Sequence, residues 1–141
     1  IEAKSINNAF GPKGSNITLT RAAGTVTEGG ASANEFDAIQ FKKEGNGEYT
    51  NVVISGYTTS NTTLTATAVR IQDKSTNDNQ VTGGKIKMLN VKINDGTSQF
   101  AGVGTTFTVD FKGNYTTSTT ATGATLTAGA WAIVDGVSLI K

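Results

Sequence analysis

Alternation of apolar and polar residues over residues 104–113 is the feature that most constrains the fold of this chain. Phe107, Val109 and Phe111 fall on one side of an extended backbone, and the polar residues between them fall on the other. A period of two predicts a strand with one buried face and one solvated face. Because a single half-buried strand is unstable alone, the remaining chain must supply partner strands and a second layer.

The composition favours strands and turns over helices. The chain has 141 residues with 17 Gly and one Pro, and it is rich in Thr and Asn. Thr favours strands, whereas Gly and Asn favour turns. Turn signals recur between short apolar runs at about the 8- to 12-residue spacing typical of sandwiches and barrels. We therefore predict an all-β, single-domain β-sandwich of immunoglobulin-like or jelly-roll topology, with about eight to ten strands.

Two segments define the strand pairing that we expect. Residues 45–47, Gly-Asn-Gly, predict a turn between strands at 35–43 and 49–57, which would then pair as a hairpin. In residues 85–93, strict alternation would place the first two apolar side chains on the face opposite the last three. The sequence shows no internal repeat of fixed period.

The N-terminal residues are predicted to stand apart from the body of the domain. Residues 11–14, Gly-Pro-Lys-Gly, are a turn or hinge signal. We therefore divide the chain into an N-terminal arm and hinge, residues 1–14, and a sandwich domain, residues 15–141. The arm is the candidate donor strand for a neighbouring subunit, and its candidate interface residues are Ile1, Ala3, Ile6 and Phe10.

The chain offers little catalytic chemistry. With no His and no Cys, the usual general base, thiol nucleophile and transition-metal ligands are absent. Oxygen donors in residues 73–79 lack the spacing of a calcium-binding EF-hand loop, so this segment is predicted to be a polar turn. Three carboxylate pairs lie near turn signals, where solvated charges are usual: Glu35 with Asp37, Glu44 with Glu48, and Asp73 with Asp78. We predict no enzyme activity, no metal site and no cofactor.

Charge and hydropathy bound the partners. The net charge is +1 and the lysines are scattered, which argues against a nucleic-acid partner. No stretch approaches the roughly 18 to 20 apolar residues that span a bilayer, so no membrane insertion is expected. The chain begins with Ile1 rather than Met, from which we expect a removed secretory signal and an extracellular location. Three sequons are candidate glycosylation sites: Asn16, Asn61 and Asn114.

Aromatic residues provide one further candidate site. A sugar-stacking platform could be formed by Tyr49, Tyr57, Tyr115 and Trp131. A Trp within an apolar run is more often a core residue than a ligand platform, so the core interpretation is favoured.

Taken together, these features favour a non-enzymatic structural subunit of an extracellular surface filament, similar in role to a pilus or fimbria subunit. The subunits would form a homopolymer by strand exchange, in which a donated strand pairs with an open sheet edge of the neighbour. Residues 113–134 contain no charged residue, and we expect them to lie against another subunit. The alternative hypothesis is a carbohydrate-binding or adhesin β-sandwich domain, with host or surface glycans as partners. The third hypothesis is a virion tube or decoration protein.

Overall fold

The structure, a computed structural model, describes residues 1–4, 11–21, 37–57, 67–94, 98–102, 107–125, 133–134 and 137–138. Strands predominate in these residues. Their bounds are β1 (Glu2–Lys4), β2 (Lys13–Thr20), β3 (Ile39–Lys42), β4 (Gly47–Ser55), β5 (Thr67–Ile71), β6 (Ile86–Ile93), β7 (Ser98–Gly102), β8 (Tyr115–Thr117), β9 (Ile133–Val134) and β10 (Val137–Ser138). One short helix, α1 (Lys74–Thr76), continues into a π-helical turn, Asn77–Val81.

All strands of the two four-stranded sheets run parallel. The first sheet has the order β1-β3-β5-β7 and the second has the order β2-β4-β6-β8, while β9 and β10 form a separate antiparallel pair. The chain therefore alternates between the two sheets and returns to each one a single position further along. Each odd strand and the even strand that follows it make one coil, which we call a rung, and four rungs stack as a parallel β-solenoid.

The predicted β-sandwich is therefore wrong. Immunoglobulin-like and jelly-roll sandwiches are built from antiparallel sheets, whereas both four-stranded sheets here are parallel. The hairpin predicted around residues 45–47 is also wrong, because these residues carry the chain from β3 in one sheet to β4 in the other. Turn-forming residues show that the backbone changes direction, but they do not determine whether the next strand pairs with the previous one.

The core is built from apolar side chains stacked at matching positions of successive rungs. Most of its members are fully buried, and burying each such side chain contributes about 1.5–3 kcal/mol. Parallel register is strongly specified by such stacking, because a slip of one residue would turn the apolar side chains out of the core. The stacked pairs include Ile39 with Val69, Phe41 with Ile71, Tyr49 with Met88, and Val52 with Val91.

The helical insertion between β5 and β6 packs against the turn of the preceding rung. Asp73 begins the insertion, and its carboxylate accepts hydrogen bonds from the backbone N–H groups of Thr76, at 2.8 Å, and Lys43, at 2.9 Å. The Thr76 hydroxyl in turn accepts from the N–H of Glu44 at 2.9 Å. Lys43 and Glu44 have φ values of 49° and 59°, so these bonds stabilise a left-handed turn that non-glycine residues rarely adopt.

One buried ion pair links two rungs of the first sheet. Arg70 lies on β5, and its guanidinium donates to the carboxylate of Asp37, two residues before the start of β3. The Asp37 side chain is fully buried and the Arg70 side chain is nearly so. A buried charge is stable only when it is paired, so this contact constrains how β3 and β5 approach each other.

Residues 107–111 keep the predicted alternation of burial but belong to no strand. Phe111 is buried and Phe107 and Val109 are half-buried, while Thr108 and Asp110 are exposed. The segment precedes β8, and the Phe111 ring packs on Tyr115 with ring centroids 5.2 Å apart. The predicted hydrogen-bonded strand is therefore wrong over residues 107–111, although its apolar face does pack on the core.

Replacing Phe111 with Ala should lower the free energy of unfolding by about 3–5 kcal/mol, because a buried aromatic side chain leaves a cavity when it is truncated. Urea denaturation measures the loss, and Phe107→Ala, at a half-buried site four residues earlier in the chain, is the matched control with a smaller expected loss. A loss below about 1 kcal/mol for Phe111→Ala would show that this face does not contribute to the core.

Candidate functional site

Asparagines at the same position of three successive rungs form a side-chain ladder along the second sheet. The register of β2, β4 and β6 places Asn16, Asn51 and Asn90 directly above one another. The Nδ2 of Asn51 donates to Oδ1 of Asn16 at 2.8 Å, and the Nδ2 of Asn90 donates to Oδ1 of Asn51 at 3.4 Å. We call these three residues the asparagine ladder.

Each ladder residue has a left-handed backbone that bends its strand. The φ values are 56° at Asn16, 55° at Asn51 and 57° at Asn90, in a region that Asn tolerates better than most residues. The bend interrupts the alternation, so Met88 and Val91 are both buried although they are three positions apart. Strict alternation over residues 85–93 was therefore the wrong expectation.

The sequence carries a signal for the ladder that a search for a fixed repeat misses. Each ladder asparagine begins the same pattern, an Asn followed by Ile or Val, then any residue, then Leu or Ile. The three copies, at residues 16–19, 51–54 and 90–93, are separated by unequal intervals because the loops between rungs differ in length. A search for this short pattern at variable spacing would have found the stacked positions.

Residues 118–124, which we call the return segment, cross the ladder after the fourth rung. The Oδ1 of Asn51 accepts hydrogen bonds from the N–H groups of Thr122, at 3.0 Å, and Gly123, at 3.3 Å. The N–H of Ala124 donates to the Thr18 hydroxyl on β2 at 2.9 Å. Gly123 has a φ of 66°, and a Cβ there would lie 2.3 Å from the Thr18 hydroxyl, so the close approach requires glycine.

The return segment covers part of the stretch that was expected to contact another subunit. Its described residues contact β2 and β4 of their own chain, and Ala121 and Gly123 are buried. Thr119 and Thr122 are exposed. Residues 126–132 lie outside the described residues, and the contact of residues 113–134 with a neighbour stays a prediction.

The second sheet has β2 at one edge and β8 at the other. Within the described part of the chain, no strand pairs with the outer side of β2. The backbone N–H of Arg21, just after β2, donates to the carbonyl oxygen of Ser55 on β4 at 3.0 Å. Because successive residues of a strand direct their backbone groups to opposite sides, the N–H and C=O of Thr20 point away from β4.

Charged side chains also stack across the start of this sheet. Register places Lys13, Glu48 and Lys87 at one position of β2, β4 and β6. The two Lys Nζ atoms each lie 3.3 Å from one carboxylate oxygen of Glu48. Hydrogen bonds from Lys87, which has the larger effect, and from Lys13 lower the pKa of the Glu48 carboxyl below its usual value. Glu48 therefore remains ionised and bridges three rungs.

The predicted donor arm lies partly in the chain's own first sheet. Strand β1, Glu2–Lys4, pairs in parallel with β3, and the carbonyl of Ile1 accepts from the N–H of Gln40 at 2.8 Å. The Ile1 side chain is about half exposed, with 47% of its surface accessible. The Ala3 side chain, Ile6 and Phe10 lie outside the described residues, so exchange of this arm between subunits stays a prediction.

The predicted sequons occupy different environments. Asn16 is exposed at the end of the asparagine ladder, where its Oδ1 already accepts a hydrogen bond. Asn114 is half-buried, and its carbonyl accepts from the N–H of Met88 at 2.8 Å. Asn61 lies outside the described residues. Glycosylation of these sites stays a prediction.

The structure places the predicted carboxylates in separate local contacts. Burial would raise the pKa of Asp73, but hydrogen bonds from Ser75, Thr76 and Lys43 outweigh it and lower the pKa below its usual value. Asp78 pairs with Lys74, and Glu44 accepts from the side chain of Asn79 at 2.9 Å. Among the described residues, no group of three or more acidic side chains is placed to hold a metal ion. Glu35 lies outside them.

The predicted aromatic platform is not assembled by the described aromatic residues. Tyr49 is buried and packs on Phe41, with ring centroids 6.1 Å apart, while Tyr57 is half-buried. Tyr115 packs on Phe111, and burial raises the pKa of its hydroxyl to about 12. Trp131 lies outside the described residues. The three described tyrosines therefore present no shared exposed face.

The comparisons with known proteins assign no family. The chain matches no protein-family model, no curated protein and no solved structure. Within the part of the chain that is described, no helix has the length and apolar character needed to cross a membrane. Any function must therefore be argued from the sheets and their side chains.

Replacing Asn51 with Ala should lower the free energy of unfolding by about 2–4 kcal/mol, since Ala is strained in the left-handed region and each lost hydrogen bond contributes about 1 kcal/mol. Asn51→Gly is the matched comparison, because Gly adopts this backbone but cannot form the side-chain bonds. We expect chemical denaturation to show a smaller loss of stability for the Asn51→Gly variant than for the Asn51→Ala variant. Losses below about 0.5 kcal/mol for both variants, as for ordinary surface changes, would contradict a structural role of the ladder.

Proposed function

We propose that this chain is a non-enzymatic structural segment of an extracellular surface filament, in which copies of the chain add to one another as further rungs. The observation that carries the proposal is the all-parallel order of both sheets, which puts β1 and β2 at one end and β7 and β8 at the other. The extracellular setting rests on the Thr-rich composition, which is typical of extracellular filament subunits, and the absence of Cys is compatible with either compartment.

Parallel stacking favours open-ended assembly over closed dimers. When every strand runs in one direction, a copy moved along the solenoid axis presents its last rung to the first rung of the next copy with the strand direction preserved. Such a head-to-tail contact is heterologous, and repeating it without closure produces a filament. The backbone groups of an edge strand supply the hydrogen bonds of each added contact.

The chemistry of β2 suits it to receive a further strand. Lys13 is its one charged residue, whereas protected edge strands commonly carry several charges. The Nδ2 of Asn16 makes no hydrogen bond to any residue in the described ranges, although the equivalent groups of Asn51 and Asn90 each donate to the preceding rung. A strand docked on β2 with an acceptor oxygen at the ladder position would extend the ladder.

This mechanism modifies strand exchange. Addition of a whole rung requires no segment to leave its own domain, and β1 can remain paired with β3. Exchange of residues 1–10 is a second route to the same homopolymer, in which the arm of one copy pairs with its neighbour.

Thr20→Pro tests the edge directly. Its N–H points away from β4, so Pro removes one outward donor and preserves the pairing within the chain, as Pro does on natural edge strands. We expect the unmodified protein to form linear oligomers whose mean mass rises with concentration in sedimentation velocity, and Thr20→Pro to reduce this assembly.

Thr20→Val is the matched control, because it retains the N–H and the β-branched shape and should assemble as the unmodified protein does. Circular dichroism establishes that each variant is folded. A protein that remains monomeric at every concentration, or equal assembly of the Pro and Val variants, would refute assembly through the β2 edge.

A further inference from the structure

A cleft lies at the start of β2, β4 and β6, apart from the asparagine ladder. Its volume is about 290 Å³, close to the lower end of small-molecule pockets at about 300 Å³. It crosses three rungs, since its residues come from the segments that lead into three successive strands. The lining residues are Gly11, Lys13, Asn46, Gly47, Glu48, Gly84 and Lys85.

The floor of the cleft is backbone. A Cβ at Gly11 would lie 2.0 Å from Oδ1 of Asn46, and a Cβ at Gly47 would lie 2.9 Å from the Tyr49 ring. A side chain at Gly11 would clash with Asn46 of the next rung, and one at Gly47 would clash with Tyr49 two residues along the same strand, so both positions require glycine. Gly84, with a φ of 68°, continues the same surface in the third rung. These three glycines line the cleft between flanking charged side chains.

Those flanking charges are mixed in sign but mainly positive. Lys13 and Glu48 form an ion pair at 3.3 Å, and both remain partly accessible, with 75% and 37% of their side-chain surface exposed. Lys85 is exposed and makes no ion pair with a residue that the structure describes. Lys87 contacts Glu48 from the third rung and adds a further positive charge beside the cleft.

This combination is complementary to one class of ligand. A carboxylate on the ligand would accept a charge-assisted hydrogen bond from Lys85, while ligand hydroxyls would donate to Glu48. A ligand with several phosphate or sulfate groups would bring more negative charge against the Glu48 carboxylate than a single ligand carboxylate does, and a neutral sugar would leave Lys85 unused. A sugar that carries one carboxylate per ring satisfies both groups.

We propose that this cleft binds a uronic-acid segment of an acidic polysaccharide. Lys85 and Lys13 contact the carboxylate, Glu48 accepts from ring hydroxyls, and the glycine floor allows the sugar ring to approach the backbone. This inference does not depend on filament assembly, because all of the lining residues belong to one copy of the chain.

Titration of a short uronic-acid oligosaccharide into the isotope-labelled protein, followed by amide NMR, tests the proposal. We expect concentration-dependent shifts at the amides of Gly11, Gly47 and Gly84, and no comparable shifts with the carboxyl-reduced, neutral oligosaccharide. Lys85→Gln should weaken binding about tenfold or more, as expected for the loss of one charge-assisted hydrogen bond.

Lys92→Gln is the matched control, because Lys92 lies on the same strand as the cleft-flanking Lys87 but does not line the cleft. It should bind as the unmodified protein does. Lys13→Gln replaces Lys85→Gln if the latter does not fold, with a weaker but measurable loss expected. Absence of shifts at the three glycines, equal binding of the neutral oligosaccharide, or equal loss in Lys92→Gln would overturn the proposal.

Discussion

The in-register stacking of Asn16, Asn51 and Asn90 is the constraint on which the second sheet depends. Each asparagine bends its strand through a left-handed residue, and the amide groups link one rung to the next at 2.8 and 3.4 Å. Because the bend falls at the same position in each rung, the buried residues before and after it also align. A shift of one residue in the register between two strands would break the ladder, and it would also turn the stacked apolar side chains out of the core. The return segment strengthens this arrangement, since it binds the central asparagine from outside.

The same regularity connects the fold to its proposed roles. A parallel solenoid grows by repeating one contact, so the contacts that stack rungs within a copy are available to stack copies. Repetition also places equivalent residues side by side, as in the charged series of Lys13, Glu48 and Lys87. A surface of this kind can bind a polymer whose units repeat. The proposed assembly would use the backbone edge of β2, whereas the proposed saccharide cleft is formed by residues at the start of β2, β4 and β6.

The sequence alone predicts strands but not their arrangement. Thr-rich segments and the alternation at Phe107, Val109 and Phe111 indicate extended chain with one buried face, and these side chains do contact the core. Parallel pairing could not be predicted, because an Asn-Gly turn such as residues 46–47 is compatible with a hairpin and with a corner between sheets. The cleft was also missed, since Gly11, Gly47 and Gly84 are far apart in the chain and read separately as turns. The ladder could have been found from its short recurring pattern at unequal spacing.

Parallel register between β2 and β4 is the central claim, and a double-cysteine variant measures it directly, because the chain has no Cys of its own. Ser15 and Thr50 are register partners, and neighbouring strands lie about 4.8 Å apart, within the Cα separation that a disulfide bridges. Oxidation of a dilute Ser15→Cys, Thr50→Cys variant should therefore give an intramolecular disulfide, detected by intact mass and by its loss on reduction. The Thr20→Cys, Thr50→Cys variant places the thiols on the order of 15 Å apart and should not crosslink. Crosslinking of the second pair and not the first would contradict the parallel solenoid.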